Sequence, residues 1–128
     1  MLAGCHGINR SNIVMYADIE DTVVLVCVDN LEATSVNWRR NDQLLSDKDT
    51  INHFINDTDN ISIVGDPSMG EYNLKISNLT SNDFGNYTCE AVVDGNRYEM
   101  DFFLIDNKGK LMHNIKIKVQ LVNHRHRA

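Results

Sequence analysis

Asp83-Phe84-Gly85-Asn86-Tyr87-Thr88-Cys89 is the stretch on which the fold of this 128-residue chain turns. From Tyr87 onward the residues alternate. Tyr87, Cys89, Ala91 and Val93 fall on one side, with Asn86, Thr88, Glu90 and Val92 on the other. That is the period of a half-buried β-strand. The run ends in Val93-Asp94-Gly95-Asn96, an Asp-Gly pair between two alternating apolar runs. No short-range signal for a two-residue hairpin turn is stronger. Such a turn fixes the register: Val93 faces Asn96, Ala91 faces Tyr98, Cys89 faces Met100 and Tyr87 faces Phe102. Opposed residues of an antiparallel pair point to the same side of the sheet. With Cys89 inward, Tyr98, Met100, Phe102 and Leu104 are therefore inward as well. Asn86, Thr88, Glu90, Val92, Arg97, Glu99, Asp101 and Phe103 form the outer side, which is mostly polar, as a solvent-facing side requires.

Working back from this hairpin, the rest of the chain repeats the pattern. There is one proline and there are seven glycines, helical periodicity is weak, and short alternating runs are separated by turn residues. Strands are expected over residues 13–19, 22–28, 35–40, 43–45, 61–64, 71–76, 86–93, 97–105 and 111–122. Cys27 lies in the second of these, 62 positions before Cys89. Two cysteines on separate core strands either close a long loop, which stabilises by about 2–4 kcal/mol, or stay as buried thiols. Trp38, the only tryptophan, follows Cys27 by 11 positions.

This order of a cysteine, a tryptophan and an Asp-x-Gly-x-Tyr-x-Cys run resembles the immunoglobulin superfamily over about residues 13–105. The resemblance implies an all-β, immunoglobulin-like β-sandwich of two antiparallel sheets with Greek-key connections. It implies a Cys27–Cys89 disulfide between the sheets, covered by Trp38. It also implies that Tyr87 returns its hydroxyl to the backbone at the corner leading into its strand, with Gly85 easing the turn. The short Asp94-Gly95 turn looks more like an I-set member than an antigen-receptor variable domain, although the 62-residue cysteine spacing leaves room for extra strands. In the family the aspartate at position 83 is often paired with a basic residue, for which Lys48 is the nearest candidate.

Asparagine usage bears on the compartment. Sixteen asparagines and thirteen serines and threonines would give about 1.6 Asn-x-Ser/Thr matches by chance, and five occur, at Asn9, Asn56, Asn60, Asn78 and Asn86. All five are formal N-glycan acceptors. With a disulfide, they imply an oxidising setting: the secretory pathway, the cell surface or the extracellular space.

Charge divides the chain. Residues 1–105 carry a net −11 and residues 106–128 a net +5, for −6 overall. An acidic body is the wrong partner for phosphate backbones, so no nucleic acid is expected. The first thirty residues show no basic segment leading into an apolar one. The longest strongly apolar run, residues 23–28, is far shorter than the roughly 20 residues of a membrane helix. No membrane insertion is expected from this segment, which reads either as a soluble chain or as an ectodomain without its leader and anchor.

Catalytic and metal chemistry find no footing, and no cofactor is expected. There is no glycine-rich phosphate loop and no HExxH. Cys5 beside His6 reads as a leftover or intermolecular thiol rather than a nucleophile. His124 and His126 alone do not make a metal site, and Asp47/Asp49 and Asp57/Asp59 lack the ligands of a calcium loop.

Binding remains. The expected binding face brings Asn37 and Arg39 beside Glu90, Val92, Arg97, Glu99 and Phe103, mixed charges around an exposed aromatic, with Asn86 at its margin. Residues 1–12 are expected to be a flexible lead-in, 13–105 the immunoglobulin-like domain, and 106–128 a basic extension. Within that extension Leu111, Ile115, Ile117, Val119 and Leu121 share one side, a strand pattern expected to turn back along the preceding strand. A homodimer through this strand or through Cys5 is the alternative. The resemblance implies a protein-recognition domain of an adhesion molecule or cell-surface receptor, bound to another protein or to itself. A secreted binder or decoy for a cytokine-like ligand and an intracellular structural I-set module are the other two readings.

Overall fold

Asp94 and Gly95 take φ values of 50° and 78°, the left-handed pair that a type I′ turn demands. In the computed structural model, which describes residues 9–27 and 33–108, the flanking strands pair in the expected register, from Val93 opposite Asn96 to Tyr87 opposite Phe102. Among the described residues the strands are β1 (Asn9–Ala17), β2 (Val23–Leu25), β3 (Ser35–Arg40), β4 (Gln43–Asp47), β5 (Thr50–Ile51), β6 (Ile61–Val64), β7 (Asn73–Ile76), β8 (Gly85–Val93) and β9 (Asn96–Asp106). They form a six-stranded sheet ordered β1-β9-β8-β3-β4-β5 and a three-stranded sheet ordered β2-β7-β6. All pairs are antiparallel except β1 with β9, which is parallel.

The core lies between the sheets. Trp38 stands directly opposite Cys89 across β3 and β8, and both are fully buried. The disulfide from Cys89 to Cys27, with Cα atoms 6.0 Å apart, ties the two sheets together. Trp38 also lies 5.6 Å from the Phe102 ring and donates from Nε1 to Tyr72 O at 2.8 Å, so its one polar atom is not stranded in the apolar interior. Leu25, Leu45, Leu74, Ile76, Leu79 and Leu104 pack around this centre, each stabilising the fold by about 1.5–3 kcal/mol through burial. Tyr87 closes the lower end. Its hydroxyl donates to Asp83 O at 2.6 Å, and burial pushes its phenol up to about 12, against the opposing pull of Arg40.

Several boundaries depart from the sequence expectation. β1 begins at Asn9, inside the segment expected to be a flexible lead-in, because pairing with β9 runs on to Asn9 opposite Tyr98. It stops at Ala17, where Glu20 adopts φ 78° and Asp21 N bonds back to Asp18 O at 3.1 Å. β2 ends at Leu25, and beyond it the Cys27 N–H is satisfied by the Asn73 side chain at 3.1 Å rather than by a strand. β7 starts at Asn73 rather than residue 71, since a 3₁₀ turn at Pro67–Met69 and left-handed Gly70 occupy the approach. β5 was not expected. With β4 it extends the larger sheet past β3, the arrangement of a variable-type sandwich rather than the I-set that the short turn implies. Val28, Cys5, His124, His126 and the 111–122 strand lie outside the described residues.

Candidate functional site

β-Strand alternation builds the outer face of the six-stranded sheet. Because Val36 and Trp38 point into the core, Asn37 and Arg39 of β3 point out. Because Cys89 and Ala91 point in, Glu90 and Val92 of β8 point out. Register then carries Arg97, Glu99 and Phe103 of β9 onto the same side, opposite Val92, Glu90 and Asn86 in turn. All seven residues of the expected binding face therefore share one surface.

Its upper part is a charged ladder. Glu90 bridges two arginines: its Oε1 lies 2.9 Å from Arg39 Nε and its Oε2 2.9 Å from Arg97 Nη2. Glu99, directly opposite Glu90, has its own cation in Arg10, 3.4 Å away. Like charges facing one another across a ladder repel, and separate arginine partners offset that repulsion here. Asn37, with its amide oriented to satisfy both neighbours, donates to Asp47 Oδ1 at 2.9 Å. Thr88 Oγ1 donates to Asp101 Oδ1 at 2.6 Å.

The lower part is apolar. Phe103 pairs with Val14 across β9 and β1, and Ile105 pairs with Tyr16. Val14 is 53% exposed, Tyr16 41% and Phe103 37%. Phe103 is among the residues expected on this face, and Val14 and Tyr16 are not. Alternation within residues 13–17 gives their outward side, but a parallel pairing to β9 leaves no hairpin signal by which to place them. Asn86 lies next to Phe103 across the ladder, half-buried, with its Oδ1 unpartnered.

Arg40 is a second residue whose place was not anticipated. It continues the inward series after Val36 and Trp38, yet it is charged and only 8% exposed. Its guanidinium donates to the carbonyls of Asn56 and Asp57 and so pins the loop before β6 to the base of the core. Asp83, for which Lys48 was the candidate partner, is 1% exposed and accepts from Asn60 Nδ2 at 2.9 Å. Lys48 sits in the exposed turn between β4 and β5. Of the formal glycan acceptors, Asn56 and Asn78 are exposed, Asn9 opens β1, and the Asn60 amide is engaged inward by two hydrogen bonds.

A shallow apolar groove of about 370 Å³ runs along the far edge, lined by Leu44, Ile51 and Phe54 among others. Phe54 is fully exposed. Among the described residues no group of three or more His, Cys, Asp or Glu is placed to hold a metal ion, and no helix is long and apolar enough to cross a membrane.

The same architecture recurs among solved structures. Tim-1 superposes with a TM-score of 0.60 at 20% identity, over 76% of this chain and 93% of its own. The CD2-binding domain of CD58 gives 0.57 at 20% identity, over 74% and 53%. The M1 domain from titin gives 0.52 at 18% identity, over 77% and 91%. No curated protein matches the sequence. The immunoglobulin domain family matches residues 7–92, which contain both disulfide cysteines, Trp38 and the Asp83–Cys89 motif. The chain belongs to the immunoglobulin domain family.

Proposed function

We propose that this chain is a non-catalytic protein-recognition module, the immunoglobulin domain of a cell-adhesion molecule or cell-surface receptor, and that it meets a protein partner through the outer face of its six-stranded sheet. The observation that carries this reading is the exposure of Val14, Tyr16 and Phe103 side by side, bordered by the Arg39–Glu90–Arg97 bridge. Aromatic and arginine side chains concentrate at the energetic centres of protein interfaces, with polar groups at the rim. The paired charges give such a surface a pattern that a wrong partner cannot match without leaving one of them desolvated and unpaired.

The partner is another cell-surface or secreted protein, or a second copy of this chain. The disulfide and the five acceptor sequences support a secretory or extracellular setting. The fold supports no choice of partner, because the CD2-binding domain of CD58 and a titin domain share it alike. An unbiased screen of the chain against cell-surface and secreted proteins, with self-association followed by sedimentation, is the direct experiment. The expected result is a protein ligand whose affinity falls at least tenfold when Phe103 and Arg39 are both changed to Ala. Unchanged affinity removes this face from the function.

A further inference from the structure

Phe54 stands fully in solvent, on a turn that is held from several sides. Asn52 N donates to Leu45 O at 2.8 Å and Asn52 Nδ2 to Leu44 O at 2.9 Å, which seats the start of the turn on β4. Asn52 Oδ1 in turn accepts from Phe54 N at 3.2 Å. His53 Nδ1 and Thr58 Oγ1, 3.1 Å apart, close the turn across its neck. Arg40 holds the carbonyls of Asn56 and Asp57, and Asp57 reverses the chain at φ 60°. Ile55 packs half-buried on the core, while its neighbours Phe54 and Asn56 are exposed. An aromatic ring on a backbone fixed in this way needs little further ordering when something lies against it.

The ring borders two hollows of different character. One is the apolar groove shared with Leu44 and Ile51. The other is an open hollow of about 340 Å³, lined by Phe54, Asn56, Arg40, Asn41, Gln43 and Asn82 among others. That is the lower end of the roughly 300–1,000 Å³ of small-molecule sites, room for one ring rather than a length of chain. Four of these residues bear side-chain amides, which both donate and accept. An exposed aromatic beside amides suits a pyranose, whose flat side presents C–H bonds and whose rim carries hydroxyl and N-acetyl groups. The negative face of the aromatic attracts those C–H bonds, and the amides answer the rim.

The chain itself holds an acceptor for such a sugar. Asn56 opens the sequence Asn56-Asp57-Thr58 and lines the same hollow as Phe54, two positions before it. The first residue of an N-glycan is N-acetylglucosamine, and on Asn56 it begins at the wall of the hollow. Tethering raises its effective concentration there without any added contact. Asn78, also exposed, makes a natural control, because the residue two before it is Ile76, which is fully buried.

We propose that Asn56 carries an N-glycan whose first N-acetylglucosamine docks in this hollow with its C–H side on Phe54, shielding the ring and stabilising the turn. The bond is made by the oligosaccharyltransferase of the secretory pathway. Asn56 Nδ2 attacks the anomeric carbon of a lipid-diphosphate-linked oligosaccharide, the bond from that carbon to the diphosphate oxygen breaks, and the amide nitrogen loses one proton. Such a sugar requires the secretory setting proposed above.

The full chain, secreted from a eukaryotic host and trimmed enzymatically to one N-acetylglucosamine at each occupied site, provides the test. That host imposes the secretory setting, so the outcome reports on the hollow, whereas the partner screen tests the recognition reading by itself. Asn56 should be occupied, and nuclear Overhauser contacts should join the Phe54 ring to the ring protons of its sugar. Urea denaturation of the chain and of Phe54→Ala, each with and without Asn56→Gln, closes a double-mutant cycle. The sugar on Asn56 should raise the folding equilibrium constant about two- to tenfold, the range of an aromatic contact, and Phe54→Ala should abolish that rise. The effect of Asn78→Gln should be the same with and without Phe54→Ala. A bare Asn56, a sugar that makes no contact with Phe54, or a rise that survives Phe54→Ala would each overturn the proposal.

Discussion

Asn60 Nδ2 donates to Asp83 Oδ2 across 2.9 Å, and the same nitrogen donates to Ser77 O, also at 2.9 Å. The Asp83 carboxylate is 1% exposed, and its Oδ2 accepts as well from Thr80 N at 2.8 Å. Where the family often sets a basic side chain against this aspartate, the chain uses neutral donors. Hydrogen bonds to a carboxylate are stronger than neutral ones, so a pair of N–H groups from different elements is enough to hold it. Asn60 thereby fastens the start of β6 to the turn that leads into β8.

That arrangement separates the five glycan acceptor sequences. Attachment of a glycan replaces one hydrogen of the asparagine amide, and at Asn60 both are donated inward. Asn56 and Asn78 are exposed and lose no such contact. In protein secreted from a eukaryotic host, glycopeptide mass spectrometry should find Asn60 bare and Asn56 and Asn78 modified. A glycan at Asn60 would contradict the geometry. Changing Asn60 to Ala leaves the buried carboxylate short of a donor and should lower stability by about 1–3 kcal/mol, read from urea denaturation.

Tyr87 predicts how the domain responds to alkali. Burial first, offset in part by Arg40, raises its phenol from 10.0 to about 12. A folded-state value above the unfolded one means that the folded form holds its proton longer. The associated stability is complete below pH 10 and drains away as pH rises toward 12. Two units correspond to about 2.7 kcal/mol. Urea denaturation at pH 7, 10 and 11.5 should show this decline, and Tyr87→Phe should remove most of it while costing about 1 kcal/mol at pH 7 through the lost bond to Asp83 O. An alkaline decline of the same size in the Phe variant would assign it to other groups.

The hairpin is legible in the sequence because it depends on strand alternation and one Asp-Gly pair, whereas the disulfide, the Trp38 cover and the Tyr87 bond are legible only through the resemblance of the Cys27, Trp38 and Asp83–Cys89 order to the immunoglobulin superfamily. Three features are not legible, for one shared reason: they depend on contacts between segments whose spacing carries no period. The parallel pairing of β1 with β9 lacks a turn to announce it, so Val14 and Tyr16 could not be set beside Phe103. Arg40 breaks the apolar series of β3, and its burial makes sense only once the carbonyls of Asn56 and Asp57 are seen to receive it. Asn60 looks like a surface acceptor until β6 is laid against β7, bringing it to Ser77 and Asp83.

The Cys27–Cys89 bond should be the largest single contribution to stability. It closes a loop of 62 residues, for which loop entropy alone gives about 4 kcal/mol. Changing both cysteines to Ala, or reducing the protein, should shift the urea midpoint by that order without a change of fold by circular dichroism. A loss below about 1 kcal/mol would mean that Trp38 and the surrounding leucines hold the sheets together without the covalent link.

Glu90 offers a way to separate recognition from folding. Its carboxylate holds Arg39 and Arg97 on a surface where ion pairs contribute little, about 0–1 kcal/mol, and it also faces Glu99 across the ladder. Replacing it with Gln keeps the shape, relieves that repulsion and releases two guanidinium groups. The urea midpoint should therefore hardly move, with a net change under about 1 kcal/mol, whereas affinity for a partner seated on this face should shift clearly and become more salt-dependent. A stability loss above about 2 kcal/mol would make the bridge part of the sheet's own framework, and its charges would then say nothing about what binds there.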